Sequence, residues 1–151
     1  DQVTLVPDPP EALTSSEGWD TRTHLDFLKD IIRQLQSEGI RTSLFVDTLP
    51  VHMEYAAHTG TNRIELYTEP YARMFPDDPE KAVAPFREAA VLAHKLGLEI
   101  NAGHDLNLDN LRFFQQEVPE LKEVSIGHAL ISDALYFGLE NTIQLYLRQL
   151  K

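Results

Sequence analysis

Five short runs rich in β-branched and apolar residues begin near residues 3, 42, 63, 98 and 123, and each gives way to a stretch with helical spacing. That order constrains the chain more than any other feature. Strict alternation of strand and helix makes neighbouring strands parallel, joined by right-handed crossovers. The runs are Val3 to Val6, stopped by Pro7; Thr42 to Val46, ended by Asp47; Arg63 to Thr68; Leu98 to Ala102; and Val124 to Ile126. A helix follows Asp20, with Leu25, Leu28, Ile31, Ile32 and Leu35 three or four apart and Gly39 as the stop. Further helices are expected over Pro50 to His58, Pro79 to Leu96, Asn107 to Gln116, and Ser132 to Lys151. The last carries Leu135, Leu139, Ile143 and Leu147 on one stripe. The segment holding Pro70 and Pro76 reads as a loop.

Parity within the strands separates two faces. Leu44 and Val46, Ile64 and Leu66, Leu98 and Ile100, and Val124 and Ile126 share one, suited to packing under helices. The opposite parity carries Ser43, Phe45 and Asp47; Glu65 and Tyr67; Glu99, Asn101 and Gly103; and Ser125 and Gly127. A doubly wound sheet buries both faces and has little room for so many polar groups, whereas the lumen of a barrel accepts them. The expected fold is therefore α/β, a parallel (β/α)8 TIM barrel of which this chain supplies about five strands. An open five-stranded sheet is the rival.

The 151 residues are expected to form a single domain with a core of its own. The formal net charge of −11 argues against nucleic acid, since phosphate-backbone binding needs a basic face. An anionic ligand would have to be held by local devices, such as helix N-termini and glycine turns. No apolar run reaches the ~18 residues that suggest a membrane span. The absence of cysteine excludes disulfides and thiolate metal sites and fits a cytoplasmic protein.

Two junctions repeat one chemistry. Leu98-Glu99-Ile100-Asn101-Ala102-Gly103-His104 and Val124-Ser125-Ile126-Gly127-His128 each end a strand in Gly-His ahead of a helix. Barrel enzymes place catalytic and phosphate-binding groups at this end of their strands, and an imidazole exchanges protons near neutral pH. A lone histidine there would be read as a helix cap or carbonyl partner; the duplication favours a site. Glu65, inside the apolar run Ile64-Glu65-Leu66, has lumen parity and needs a partner once buried, either a neighbouring cation or a role in acid–base chemistry. Glu99 lies earlier in its strand and suits a structural role. Asp47 is expected to cap the helix after it, and Thr14, Ser15 and Ser16 form a hydroxyl cluster that either binds a substrate or begins a helix. His104 and His128 lack the spacing of a helical metal site, and His52 and His58 fall in a surface helix, so no metal is expected.

Through Asn101-Ala102-Gly103-His104 and Ser125-Ile126-Gly127-His128-Ala129-Leu130-Ile131, with Ser43-Leu44-Phe45-Val46-Asp47 and Ile64-Glu65-Leu66 upstream, the chain resembles the pyridoxine 5'-phosphate synthase family of vitamin B6 biosynthesis. The resemblance extends over essentially the whole chain. It implies an eight-stranded barrel of the size usual for the fold, ~250 residues, with strands four to eight here and the first three βα units not in this sequence. Those units carry, in the family, an Asn-x-Asp-His strand, a His-x-Arg segment with the catalytic base, and a further glutamate. The implied reaction condenses 3-amino-2-oxopropyl phosphate with 1-deoxy-D-xylulose 5-phosphate to pyridoxine 5'-phosphate, phosphate and water, without cofactor or metal, in a homo-oligomer that is an octamer in that family.

By the same resemblance His104 corresponds to the proton donor and Glu65 to the carboxylate that stabilises the transition state. Gly127 and His128 correspond to the phosphate-holding pair. Ser15 stands where the family has a substrate-binding threonine, and Asp105 where it has a glycine. A glycine required for positive φ would leave Asp105 strained, and its carboxylate is expected to turn away from phosphate. The Glu17-Gly18-Trp19 region is less glycine-rich than the family's. The 151 residues alone are expected to be poorly stable and inactive, and the competing function is a non-catalytic phosphate-binding or structural partial barrel.

Overall fold

The computed structural model describes residues 1–151. Five strands, β1 (Gln2–Leu5), β2 (Arg41–Val46), β3 (Arg63–Tyr67), β4 (Glu99–Gly103) and β5 (Leu121–Ser125), form one sheet in the order β1-β2-β3-β4-β5, and every pair is parallel. The helices are α1 (Leu25–Ser37), α2 (Pro50–Thr59), α3 (Glu69–Met74), α4 (Pro79–Lys95), α5 (Leu111–Glu117), α6 (His128–Phe137) and α7 (Leu139–Gln149). Strand order equal to chain order is what a barrel wall requires, because each βα unit is laid beside the last.

The two faces divide as strand parity demands. Leu44, Val46, Ile64, Leu66, Ile100 and Ala102 are fully buried in one cluster with Leu28 and Ile32 of α1, Met53 and Ala56 of α2, Val83, Phe86 and Ala90 of α4, and Phe114 of α5. On the other face polar side chains reach across alternate strands. Thr4 Oγ1 of β1 donates to Glu65 of β3 at 3.1 Å. Arg63 of β3 reaches Glu123 of β5 at 2.6 Å. Contacts between alternate strands suit the interior of a barrel, whose layers are built from every second strand. The chain is a five-strand sector of a (β/α)8 barrel.

Four boundaries differ from expectation. Pro70 lies inside α3 at its first turn, where its missing N–H costs nothing, so a helix stands where a loop was expected. The first helix starts at Leu25, because residues 20–24 form a turn held by Asp20, which accepts from the backbone N–H and hydroxyl of Thr23 at 3.0 and 2.7 Å. β5 begins at Leu121, its register against β4 shifted by an irregularity between Ile100 and Asn101. The single terminal helix is two helices, since Gly138 adopts φ 79° and ψ 145°, a conformation that essentially only glycine tolerates, and breaks the stripe between α6 and α7.

Candidate functional site

The loop after β1 folds back over the sheet and is pinned at its far end. The backbone N–H of Trp19 donates to the Phe45 carbonyl at 2.8 Å, and its indole N–H to the Leu5 carbonyl at 3.1 Å. A Cβ at Gly18 would lie 2.4 Å from the Val46 Cα, so only glycine lets the loop sit against the end of β2. The Gly18 N–H donates to Asp47 at 3.2 Å. Asp47 therefore anchors this loop and does not cap α2, whose first turn begins at Leu49 without a side-chain cap.

The anchored loop brings Ser15 over the C-terminal ends of β4 and β5. A cleft of about 390 Å³ is lined by Asp8, Ala12, Leu13, Thr14, Ser15, His104, Asp105 and His128. Five residues singled out in the sequence, Thr14, Ser15, His104, Asp105 and His128, thus meet in one place. The Ser15 hydroxyl donates to Asp8, which leaves its lone pairs free to accept. No lysine or arginine lines the cleft. Its means of holding an anion are the two imidazoles and the N-terminus of α6, which starts at His128 with Gly127 as the preceding cap residue. Nothing lies within 4 Å of the position a Gly127 Cβ would take, so this glycine leaves space open at the helix start.

The first Gly-His junction is built differently. A Cβ at Gly103 would come 2.3 Å from the Ser125 carbonyl oxygen, and that same carbonyl accepts the His104 N–H at 2.9 Å. Gly103 is there to let β4 and β5 close up. The following residue carries the distortion: His104 has φ 72°, and the Asp105 N–H turns back to the Gly103 carbonyl at 3.1 Å. This tight three-residue turn is strained for a residue with a Cβ. The Thr68 hydroxyl also donates to the Gly103 carbonyl. The positive φ thus falls on His104, and Asp105 is free of that strain. Asp105 lines the cleft. Burial raises its carboxyl above the usual range, and the neighbouring His104 and His128 oppose that rise.

Below the mouth, the lumen face holds an ordered set of polar groups. The His104 ring packs on Phe45 with centroids 5.0 Å apart, and its Nδ1 is buried without a partner. Phe45, Glu65 and Asn101 are register partners across β2, β3 and β4. Glu65 is 5% exposed, and its hydrogen bond comes from Thr4, not from a cation. Burial pushes its carboxyl above the ordinary carboxylate range, and the Thr4 hydroxyl and His104 pull it back part of the way. Arg63, at the opposite end of the strands, donates to Glu99, Glu123 and the side-chain amide oxygen of Asn101, and so closes the floor of the lumen. Glu99 is half-exposed in this floor cluster, and the Arg63 hydrogen bond lowers its carboxyl pKa. Thr4 and Asp8 escaped sequence reasoning. Thr4 has lumen parity, a signal that was available; Asp8 in an irregular loop gave none.

Glu65 does not line the cleft, which is defined by loop residues above it, and His104 at the cleft pulls its carboxyl pKa down against the effect of burial. An acid–base pair beneath an anion-holding rim is the chemistry this geometry can offer.

The whole chain, residues 1–151, matches the family described as pyridoxal phosphate biosynthesis protein PdxJ. It is 61% identical over 145 residues to the pyridoxine 5'-phosphate synthase of Parabacteroides distasonis, an alignment covering 96% of this chain and 61% of that protein. The same figures hold for the pyridoxine 5'-phosphate synthase of Bacteroides thetaiotaomicron. To the Cytophaga hutchinsonii protein of that name it is 59% identical over 151 residues, 100% of this chain and 63% of the relative. The chain thus spans a little over three-fifths of the length of these relatives.

Proposed function

The chain belongs to the pyridoxal phosphate biosynthesis PdxJ family, and from that premise we propose that it supplies the proton-donating and phosphate-holding part of a pyridoxine 5'-phosphate synthase active site. The reaction is the ring-closing condensation of 3-amino-2-oxopropyl phosphate with 1-deoxy-D-xylulose 5-phosphate, releasing phosphate and water. What carries the reading is the convergence of Ser15, His104, Asp105 and His128 on one cleft. Three elements far apart in sequence were brought together there by loops that have no core reason to meet.

In this proposal His104 donates a proton to a leaving oxygen of the substrate. Its strained backbone fixes the imidazole over Phe45, and Asp105 beside it responds to its charge. Glu65 stabilises positive charge that develops on the condensing amine and carbon skeleton. Held by Thr4 in a buried position, it needs no solvent rearrangement to do so. Gly127, His128 and the start of α6 hold a phosphate group, with Ser15 as an acceptor for a substrate hydroxyl. The same reading makes the protein cytoplasmic and homo-oligomeric, with small phosphorylated substrates as its partners and the first three βα units required for turnover.

The test is kinetic. In the intact protein His104→Ala and Glu65→Gln are expected to lower kcat by about 10²- to 10⁴-fold, the usual worth of positioned acid–base groups, with circular dichroism unchanged. Wild-type turnover in both variants would overturn the assignment. Phosphate affinity in an intact wild-type protein that performs no condensation would replace it with the non-catalytic phosphate-binding barrel.

A further inference from the structure

Five buried side-chain polar atoms lack hydrogen-bond partners: Gln2 Oε1, Ser43 Oγ, His52 Nδ1, Asn101 Nδ2 and His104 Nδ1. Buried polar groups are nearly always paired, and each exception asks for a reason. Of the five, Asn101 is the most tightly specified. It is 0% exposed, it has lumen parity, and it stands in register with Glu65 on the neighbouring strand.

The orientation of its amide is fixed by chemistry. Arg63 Nη1 lies 3.1 Å from Asn101 Oδ1, and a guanidinium has donors only. The atom facing Arg63 must therefore be the oxygen. Arg63 is itself held by Glu99 and Glu123, so it cannot swing away to release the amide. The NH2 group is left on the other limb without an acceptor. A buried donor left unpaired in this way destabilises the fold. The arrangement therefore holds a donor ready for a group that arrives later.

We propose that Asn101 is a substrate-binding residue of this site, its Nδ2 donating to a carbonyl or hydroxyl oxygen of a phosphorylated keto sugar bound beside Glu65, with Arg63 as the residue that orients it. The proposal rests on the reading of Glu65 and the cleft given above. It adds a contact deep in the lumen to the loop residues at the mouth, and it gives the Arg63 cluster a task beyond closing the barrel floor.

Asn101→Asp keeps the shape and the acceptor facing Arg63 but removes the donor. In the intact protein it is expected to lower kcat/KM for 1-deoxy-D-xylulose 5-phosphate by about tenfold to a hundredfold, while Tm moves by only a few degrees. Arg63→Gln, which frees the amide to turn, is expected to act in the same direction and more weakly. A purely structural role for Asn101 would move Tm and leave kcat/KM unchanged. Wild-type kcat/KM in Asn101→Asp, or in Arg63→Gln should the first variant not fold, would overturn the proposal. If the wild-type protein itself performs no condensation, the assigned reaction fails separately. Calorimetric titration with 1-deoxy-D-xylulose 5-phosphate then decides: weaker binding to Asn101→Asp than to wild type supports the contact, and equal binding overturns it.

Discussion

At the scale of single residues, the site is held in conformations that cost stability, and each cost is measurable. Burial raises the Glu65 carboxyl, so the folded state binds its proton more tightly than the unfolded chain does. Stability from this group is complete below the ordinary carboxylate pKa of ~4.3 and is lost as pH rises through the raised value. Glu65→Gln, whose amide oxygen still accepts from Thr4, is therefore expected to have a higher Tm than wild type at pH 7, the gap closing as pH falls toward 4; a scanning-calorimetry series across that range checks it. His104 occupies φ 72°, where a side chain is strained. Glycine is normally the less stable choice relative to alanine in ordered structure. Here the order should invert, with His104→Gly more stable than His104→Ala by about 1 kcal/mol in chemical denaturation. Gly103→Ala drives a Cβ to 2.3 Å from the Ser125 carbonyl. It is expected to cost about 1–3 kcal/mol and to weaken substrate binding as the two Gly-His junctions are pushed apart, both read by denaturation and steady-state kinetics.

At the scale of elements, what was legible in the sequence was what local periodicity encodes. The strand positions, their parity and the helices α2 and α4 follow from alternation, capping prolines and glycine stops, and they agree with the structure to within a few residues. α3 was hidden because Pro70 reads equally as a loop or as a first helical turn, and tertiary packing decides: Tyr71 is buried against Phe114 with centroids 4.8 Å apart. The α6/α7 break was hidden because the apolar stripe runs straight through it. The cleft was half legible. Ser15, His104, Asp105 and His128 could be named, but the hold of Asp8 on Ser15 and of Asp47 on Gly18 depend on where an irregular loop lands. The orientation of the Asn101 amide was not legible, since it needs the reach of Arg63 across the lumen floor. Gly138→Ala tests the break directly. It is expected to destabilise by about 1–3 kcal/mol, measured by urea unfolding, because no side chain tolerates φ 79° with ψ 145°.

At the scale of the whole molecule, the sector is closely covered on its helical side between β1 and β4 and more loosely beyond, where Val124, Ile126, Leu130 and Leu150 are only partly buried. α6 buries none of its residues, and Leu135 and Tyr136 are 82% and 86% exposed, beside Ile131, Phe137, Leu139 and Leu147. So large a run of exposed apolar side chains drives association. The 151-residue chain prepared alone is expected to sediment as oligomers or aggregates; a monodisperse monomer with a cooperative thermal transition would contradict this. The sequential strand order has one more consequence. β3 is flanked on both sides by strands that are themselves flanked, whereas β1 and β5 each have a single neighbour. Amide protons should therefore exchange with solvent slowest in β3, next in β2 and β4, and fastest at the two rims. Glu65 rides on the longest-lived part of the sheet, and His128 follows the rim strand β5. In the 151-residue chain prepared alone, the Glu65 carboxylate would then stay fixed through many local openings while the turn that carries His128 opens far more often.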